Sequence, residues 1–245
     1  MNSIKTKSII LFALLLLLAG FKSKNGTGAD FRIKKVASFI HEQDSSVFTY
    51  TPDGKIASHR GYLPVMKRSF DYSKGRVTEQ GSNGVNGTLY KNIFYLNSKA
   101  IADSMMRTAD NKTLCIYFKY DKSGCCVEEY SGCDKRTIET KRVFEKGNMV
   151  KQLFFSNGEQ YETGYFEYYT KIPNVPTMFG TEKMGHIYRG KDSKNLLKKI
   201  VLVESKGDTV LVNNFRYHFD DKGRVVTSAV YGKEGNLADS TAYSY

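Results

Sequence analysis

The chain has no tryptophan and only four prolines, four histidines and four cysteines in 245 residues. Each scarcity removes a reading. Pro52, Pro64, Pro173 and Pro176 fall in turn-like or irregular contexts and leave the intervening stretches free to pair as strands. His41, His59, His186 and His218 show neither a His-x-x-x-His nor a Glu-flanked spacing, so no histidine-held metal is expected. His218, between Tyr217 and Phe219, is expected on a strand surface. No Gly-x-Ser-x-Gly elbow and no phosphate loop ending in Lys-Ser/Thr occurs. The Gly-rich "NGTGAD" at 25–30 falls in a processing region instead. No cofactor is expected.

The cysteines Cys115, Cys125, Cys126 and Cys133 all lie within nineteen residues, so a bridge among them staples one local region. Zinc sites use two Cys pairs spaced two to four apart, and adjacent cysteines in a strand face opposite ways. Disulfides or buried thiols therefore fit better than a metal. With Tyr120 opposite Cys125 across the "DKSG" turn, Cys126 faces Lys119 and Cys115 faces Tyr130. The expected bridge runs from Cys133 back to Cys125, Cys126 or Cys115.

Acid is absent from the first 29 residues, which carry four lysines. Lys5 and Lys7 precede Ile9–Ala19, eleven apolar residues in a row. This is a basic region followed by an apolar core of secretory length, shorter than the roughly 20 residues a transmembrane helix needs. Residues 1–29 are read as a signal peptide cut after Ala29, with Gly28 as the alternative, and residues 30–245 as a single domain. Phe21 stands where a lipoprotein would carry cysteine, so no lipid anchor is expected. Beyond residue 29, 33 basic against 25 acidic residues leave a net charge of +8. That balance suits anionic partners such as a polyanionic glycan, or an envelope protein, but no run of four lysines occurs and nothing signals nucleic-acid binding. A solvated basic face is the simpler reading.

What is abundant is tyrosine (17) and phenylalanine (15), arranged with a period of two. Phe215, Tyr217 and Phe219 share one face, with Arg216 and His218 on the other. Ile116, Phe118 and Tyr120 share a face. Tyr161, Tyr165 and Tyr169 share one, opposite Phe166 and Tyr168. Such alternation suits pleated, half-buried strands. An aromatic followed by a short polar turn ending in glycine recurs: Tyr50 to Gly54, Tyr72 to Gly75, Tyr120 to Gly124, Phe144 to Gly147 and Phe219 to Gly223. Hairpin loops of this length commonly end in a residue at positive φ, and glycine adopts it freely. Gly54, Gly75, Gly124, Gly147 and Gly223 are thus assigned to hairpin turns, with "SNG" at 156–158 and "SKG" at 205–207 as further turns. Residues 98–112 fit either a helix or a hairpin turning at "ADNK". "DSKNLLKK" is expected to hold a helical turn capped by Asp192 or Ser193, inside a long connection over 172–200. The fold predicted is all-β: one antiparallel meander of consecutive hairpins forming a curled or barrel-like sheet.

"YDKSG" at 120–124 and "FDDKGRVV" at 219–226 resemble the tyrosine–aspartate (YD) repeats of large secreted bacterial shell proteins. The run 188–226, with "SKNL…KI" before an "F/Y-x-Y/F-D-x-x-G" unit, is similar to a domain-of-unknown-function family of gut bacterial envelope proteins. That resemblance implies a porin-like, meandering antiparallel fold and no assigned activity. The functional expectation is an exported, non-enzymatic binding or structural module of the periplasm, outer membrane or exterior. A glycan-acting hydrolase is the enzymatic alternative, although Asp220-Asp221 read as turn residues and Glu128-Glu129 straddle a strand. A small outer-membrane barrel is the other. Counting back from Tyr245 by twos meets Asp239, which a lipid-facing strand would not carry, so membrane insertion is not expected.

Overall fold

The computed structural model describes residues 32–38, 45–61, 67–82, 89–174 and 188–245. The expected signal peptide lies outside these residues, as do His41, Pro64, Pro176 and His186. Residues Arg32–Tyr245 form one compact unit.

Sixteen strands make up most of the described residues: β1 Lys35–Ser38, β2 Ser45–Tyr50, β3 Ile56–Arg60, β4 Lys67–Ser73, β5 Arg76–Ser82, β6 Leu89–Leu96, β7 Ala102–Ala109 and β8 Lys112–Tyr120, then β9 Cys126–Ser131, β10 Thr137–Glu145, β11 Asn148–Ser156, β12 Glu159–Pro173, β13 Asn195–Glu204, β14 Thr209–Phe219, β15 Val225–Tyr231 and β16 Leu237–Ser244. Each pairs antiparallel with its neighbours in sequence, and β1 pairs with β16, so the meander closes into a barrel. Closure leaves no sheet edge unpaired. Residues 98–112 resolve as a hairpin, with β7 and β8 turning at Asp110 and Asn111, both at positive φ.

The repeated aromatic-turn-glycine units all lie at one end of the barrel, because each joins an even strand to the odd strand that follows. Gly54, Gly75, Gly124, Gly147 and Gly223 have φ of 85°, 70°, 88°, 84° and 74°. Tyrosines near this end have a structural role that the glycine pattern alone does not reveal. Near or just past the end of six of the eight even strands, a tyrosine hydroxyl donates to a carbonyl at the foot of the preceding odd strand. Tyr50, Tyr72, Tyr120, Tyr168, Tyr217 and Tyr245 donate to Ile33, Ile56, Ala102, Met149, Leu197 and Val225, at 2.5–2.9 Å. Leu96 and Phe144 stand at the corresponding places in β6 and β10. The hydroxyls cross-tie strand ends whose turn is at the far end.

Alternation sorts the strands into an interior of apolar and aromatic side chains interrupted by buried polar groups, and a more polar exterior that still exposes Leu114, Val143 and Val210. In β4, Arg68, Phe70 and Tyr72 are turned away from solvent between exposed Lys67, Ser69, Asp71 and Ser73. One interior cluster gathers Ile33, Phe48, Ile56, Leu196, Val225 and Tyr243, and another gathers Val77, Phe94, Met105, Phe118, Cys126 and Tyr188; Phe70 packs against both.

Three expectations need correction. "DSKNLLKK" contains no helical turn. Ser193 Oγ instead accepts from the Met149 amide and donates to Tyr168 Oη, while Asn195 and Asn148 exchange hydrogen bonds, which holds the segment extended into β13. Tyr169 leaves the Tyr165 face, because register shifts in β12 turn it inward to bond the Phe215 carbonyl. Tyr120 faces Cys126, not Cys125, and past a bulge Lys119 faces Glu128 and Tyr117 faces Tyr130. The five-residue turn, closed by the Asp121 amide on the Cys125 carbonyl, displaces the register.

Candidate functional site in the barrel interior

The described part of the connection between β12 and β13, residues 188–194, lies at the glycine-turn end of the barrel. Tyr188 Oη donates to Tyr72 Oη at 2.9 Å and its ring lies 5.2 Å from that of Phe94, so it reaches the β4–β6 wall. Gly190 bridges Cys125, the Lys191 amide donates to the Gly124 carbonyl, and the Lys194 amide donates to the Gly147 carbonyl. Residues 188–194 thus seat on two of the repeated turns.

Beneath this strap, Glu129 of β9 receives two guanidiniums. Arg142 of β10 donates to Oε1 at 2.8 Å and Arg189 of the strap at 3.0 Å. Arg142 also reaches Cys126 Sγ at 3.5 Å, and Arg189 lies over the Phe118 ring at 4.9 Å. Cys126 is a free thiol that burial pushes up to about 11, and so a neutral one at physiological pH. Around the cluster opens a cavity of about 570 Å³, within the range of sites for small organic ligands. Its strand residues come from the inward-facing register of β9 to β14. Thr140 and Gln152 lie midway, while Phe166, Ile200, Phe154, Leu202 and Leu211 carry the wall toward the opposite mouth. Gly164, opposite Gln152 and Leu202, lets its neighbours close in: a Cβ there would come within 3.0 Å of Phe166 and 3.2 Å of Leu202.

A second polar cluster lies on the other side of the interior. Buried Arg68 approaches Glu79 at 3.6 Å, and Tyr90 and Asn92 donate to the two Glu79 oxygens. Nearby, His59 stacks on Phe48 with centroids 4.6 Å apart, and neither ring nitrogen has a partner. Burial, with Arg68 nearby, lowers its pKa to about 4.

The sequence-assigned residues lie around this interior and contribute little to it. Cys115 and Cys133 are bonded on the outward-facing register, and Cys125 is buried under the strap. His218 is exposed on β14. Glu128 points outward to Lys119 at 2.9 Å while its neighbour Glu129 points inward, so the two carboxylates do not face each other. Asp220 caps its own turn through the Lys222 and Arg224 amides and binds Arg224 at 2.7 Å. Among the described residues no cluster of three or more His, Cys, Asp or Glu suits a metal. Arg142, Arg189 and His59 were not singled out from sequence; the available signal is that Arg142 keeps the inward phase of β10.

No family model matches the chain, and no curated protein matches it. Two solved structures are similar in fold. One is a porin-like protein from Bacteroides uniformis ATCC 8492, with TM-score 0.65 and 13% identity, the match covering 86% of this chain and 97% of that one. The other is a porin-like protein from Bacteroides vulgatus ATCC 8482, with TM-score 0.62 and 16% identity over 87% and 98%. The class defined is therefore a closed, sixteen-strand, up-and-down antiparallel barrel.

Proposed function

We propose that this chain is exported, loses residues 1–29, and works without catalysis in the cell envelope as a water-exposed barrel that holds a ligand in its interior. The observation that carries this reading is polarity. A channel-forming outer-membrane barrel wears an apolar band outside and a polar lumen inside. Here the mid-strand outward positions of β10, β11 and β13 carry Lys141 over Phe155, Lys151 over Tyr165 and Lys199 with Glu167 at 3.7 Å, and nearer the strand ends stand Lys119 with Glu128 and Arg216 over Tyr231. Each Lys or Arg at a bilayer midplane costs about 2–4 kcal/mol. The interior holds the aromatic clusters, two ion-paired groups at Glu79 and Glu129, and the half-apolar cavity.

The test is fractionation from the native host with N-terminal sequencing, followed by planar-bilayer recording. A chain beginning near Asp30, folded without detergent and silent in the bilayer, is expected. A chain extracted only by detergent that opens conducting pores would replace this reading with the membrane one.

A further inference from the structure

We propose that the interior cavity binds a monoanionic amphiphile: a singly charged head under the strap and a hydrocarbon body along the β11–β14 wall. This deepens the reading above and rests on it.

Charge sets the head. Among the described residues, two guanidiniums meet one carboxylate at Glu129, one positive charge more than negative. At the rim, exposed Lys191 and Asp192 add one charge of each sign. Donors are left over as well as charge. Arg189 Nε is buried with no partner, and so is the Thr140 Oγ1 hydroxyl, whose residue is only 9% exposed. Both residues line the cavity. A buried donor without an acceptor carries a desolvation cost that an anionic oxygen placed between them would remove. Among the described residues a cation finds no matching excess of negative charge there. A dianion would exceed the single charge in excess.

Shape sets the tail. From Thr140 and Gln152 onward the lining turns apolar, through Phe166 and Ile200 to Phe154, Leu202 and Leu211. Leu211, at the far mouth, is 37% exposed, so this apolar track reaches solvent. The missing side chain at Gly164 lets Phe166 and Leu202 pack closely over it and form that apolar wall.

The same head chemistry comes from a free fatty acid or from a lysophospholipid with one phosphodiester charge. Palmitate, lysophosphatidylglycerol, hexadecanol and hexadecyltrimethylammonium, titrated below their micellar concentrations against the full domain by calorimetry, separate the cases. At least one of the two anions is expected to bind about tenfold or more tighter than hexadecanol, and the cation weakest. Tighter palmitate names the free acid; tighter lysophosphatidylglycerol names the lipid. Two variants locate the head. Arg189→Gln keeps the Arg142–Glu129 pair, and Thr140→Val keeps volume. Each should weaken the preferred anion five- to tenfold while leaving hexadecanol unchanged. Hexadecanol binding as well as both anions, anion affinity untouched in both variants, or no binding by any probe overturns the proposal. These outcomes leave a detergent-free, non-conducting barrel standing, whereas pore conductance would fail the parent reading.

Discussion

His59 is a titratable group that the barrel keeps neutral. It is 1% exposed, stacked on Phe48, and has no hydrogen-bond partner on either nitrogen. Its folded pKa of about 4 lies below the ordinary 6.5. Between those values the unfolded chain binds more protons than the folded one. The stability from keeping His59 neutral is therefore fully present above pH 6.5 and is lost as pH falls to about 4. The loss amounts to at most about 3 kcal/mol. Urea midpoints measured from pH 7 to pH 4 should fall in the wild type and fall less in His59→Phe, which keeps the stack; parallel curves would refute the assignment. Gly223 is a second residue-scale case. Its φ is 74° and nothing lies within 4 Å of a Cβ placed there, so the cost of a side chain is conformational alone. Gly223→Val should lower stability by about 1–3 kcal/mol with no change in the surrounding packing. An unchanged denaturant midpoint would show that the turn relaxes without strain.

At the scale of elements, two devices recur at the glycine-turn end: a glycine closes the turn and a nearby tyrosine ties the strand ends. The turn was legible in the sequence because it is local, a polar loop ending in glycine between alternating strands. The tie was not, since Tyr217 Oη finds the Leu197 carbonyl twenty residues away only once β13 and β14 are paired. Bulges hid more. One extra residue between Tyr120 and Glu128 moved the cysteine register, and shifts in β12 turned Tyr169 to the other face. Tyr217→Phe removes one buried hydroxyl bond and should cost about 1 kcal/mol by chemical denaturation. Phe144→Tyr should gain little or nothing, since its position already packs without a hydroxyl. The Cys115–Cys133 bond closes a span of 18 residues on the outer wall. In the loop-entropy account it contributes about 3 kcal/mol. Cys133→Ser should lose that stability and leave amphiphile binding intact, because the bond lies on the opposite side of the wall from the cavity.

For the whole molecule, closure is the feature that sequence reading left open. A curled sheet and a barrel share the same hairpins, and the difference rests on β1 meeting β16, about two hundred positions apart: Val36 opposite Tyr243 and Ser38 opposite Thr241. The interior cluster of Arg142, Glu129 and Arg189 depends on the same large-scale geometry, with β9, β10 and the strap brought together by the ring. Closure also makes a prediction. Tyr243 is 6% exposed, bonds Ser228 through its hydroxyl, and packs in the cluster that holds Phe48, Ile56 and Val225. A chain ending at Tyr231 loses this strand and leaves β1 and β15 with unpaired amides and carbonyls along their edges. Exposed edges of that length pair with other copies. The truncated chain should therefore elute as aggregate in size exclusion and lose cooperative unfolding. Leu237→Ala, at the exposed start of the same strand, should behave as the intact chain. If the truncated chain elutes at the position of the full domain and still unfolds in one transition, the β1–β16 seam does not hold the barrel, and the interior site must be stable in an open sheet.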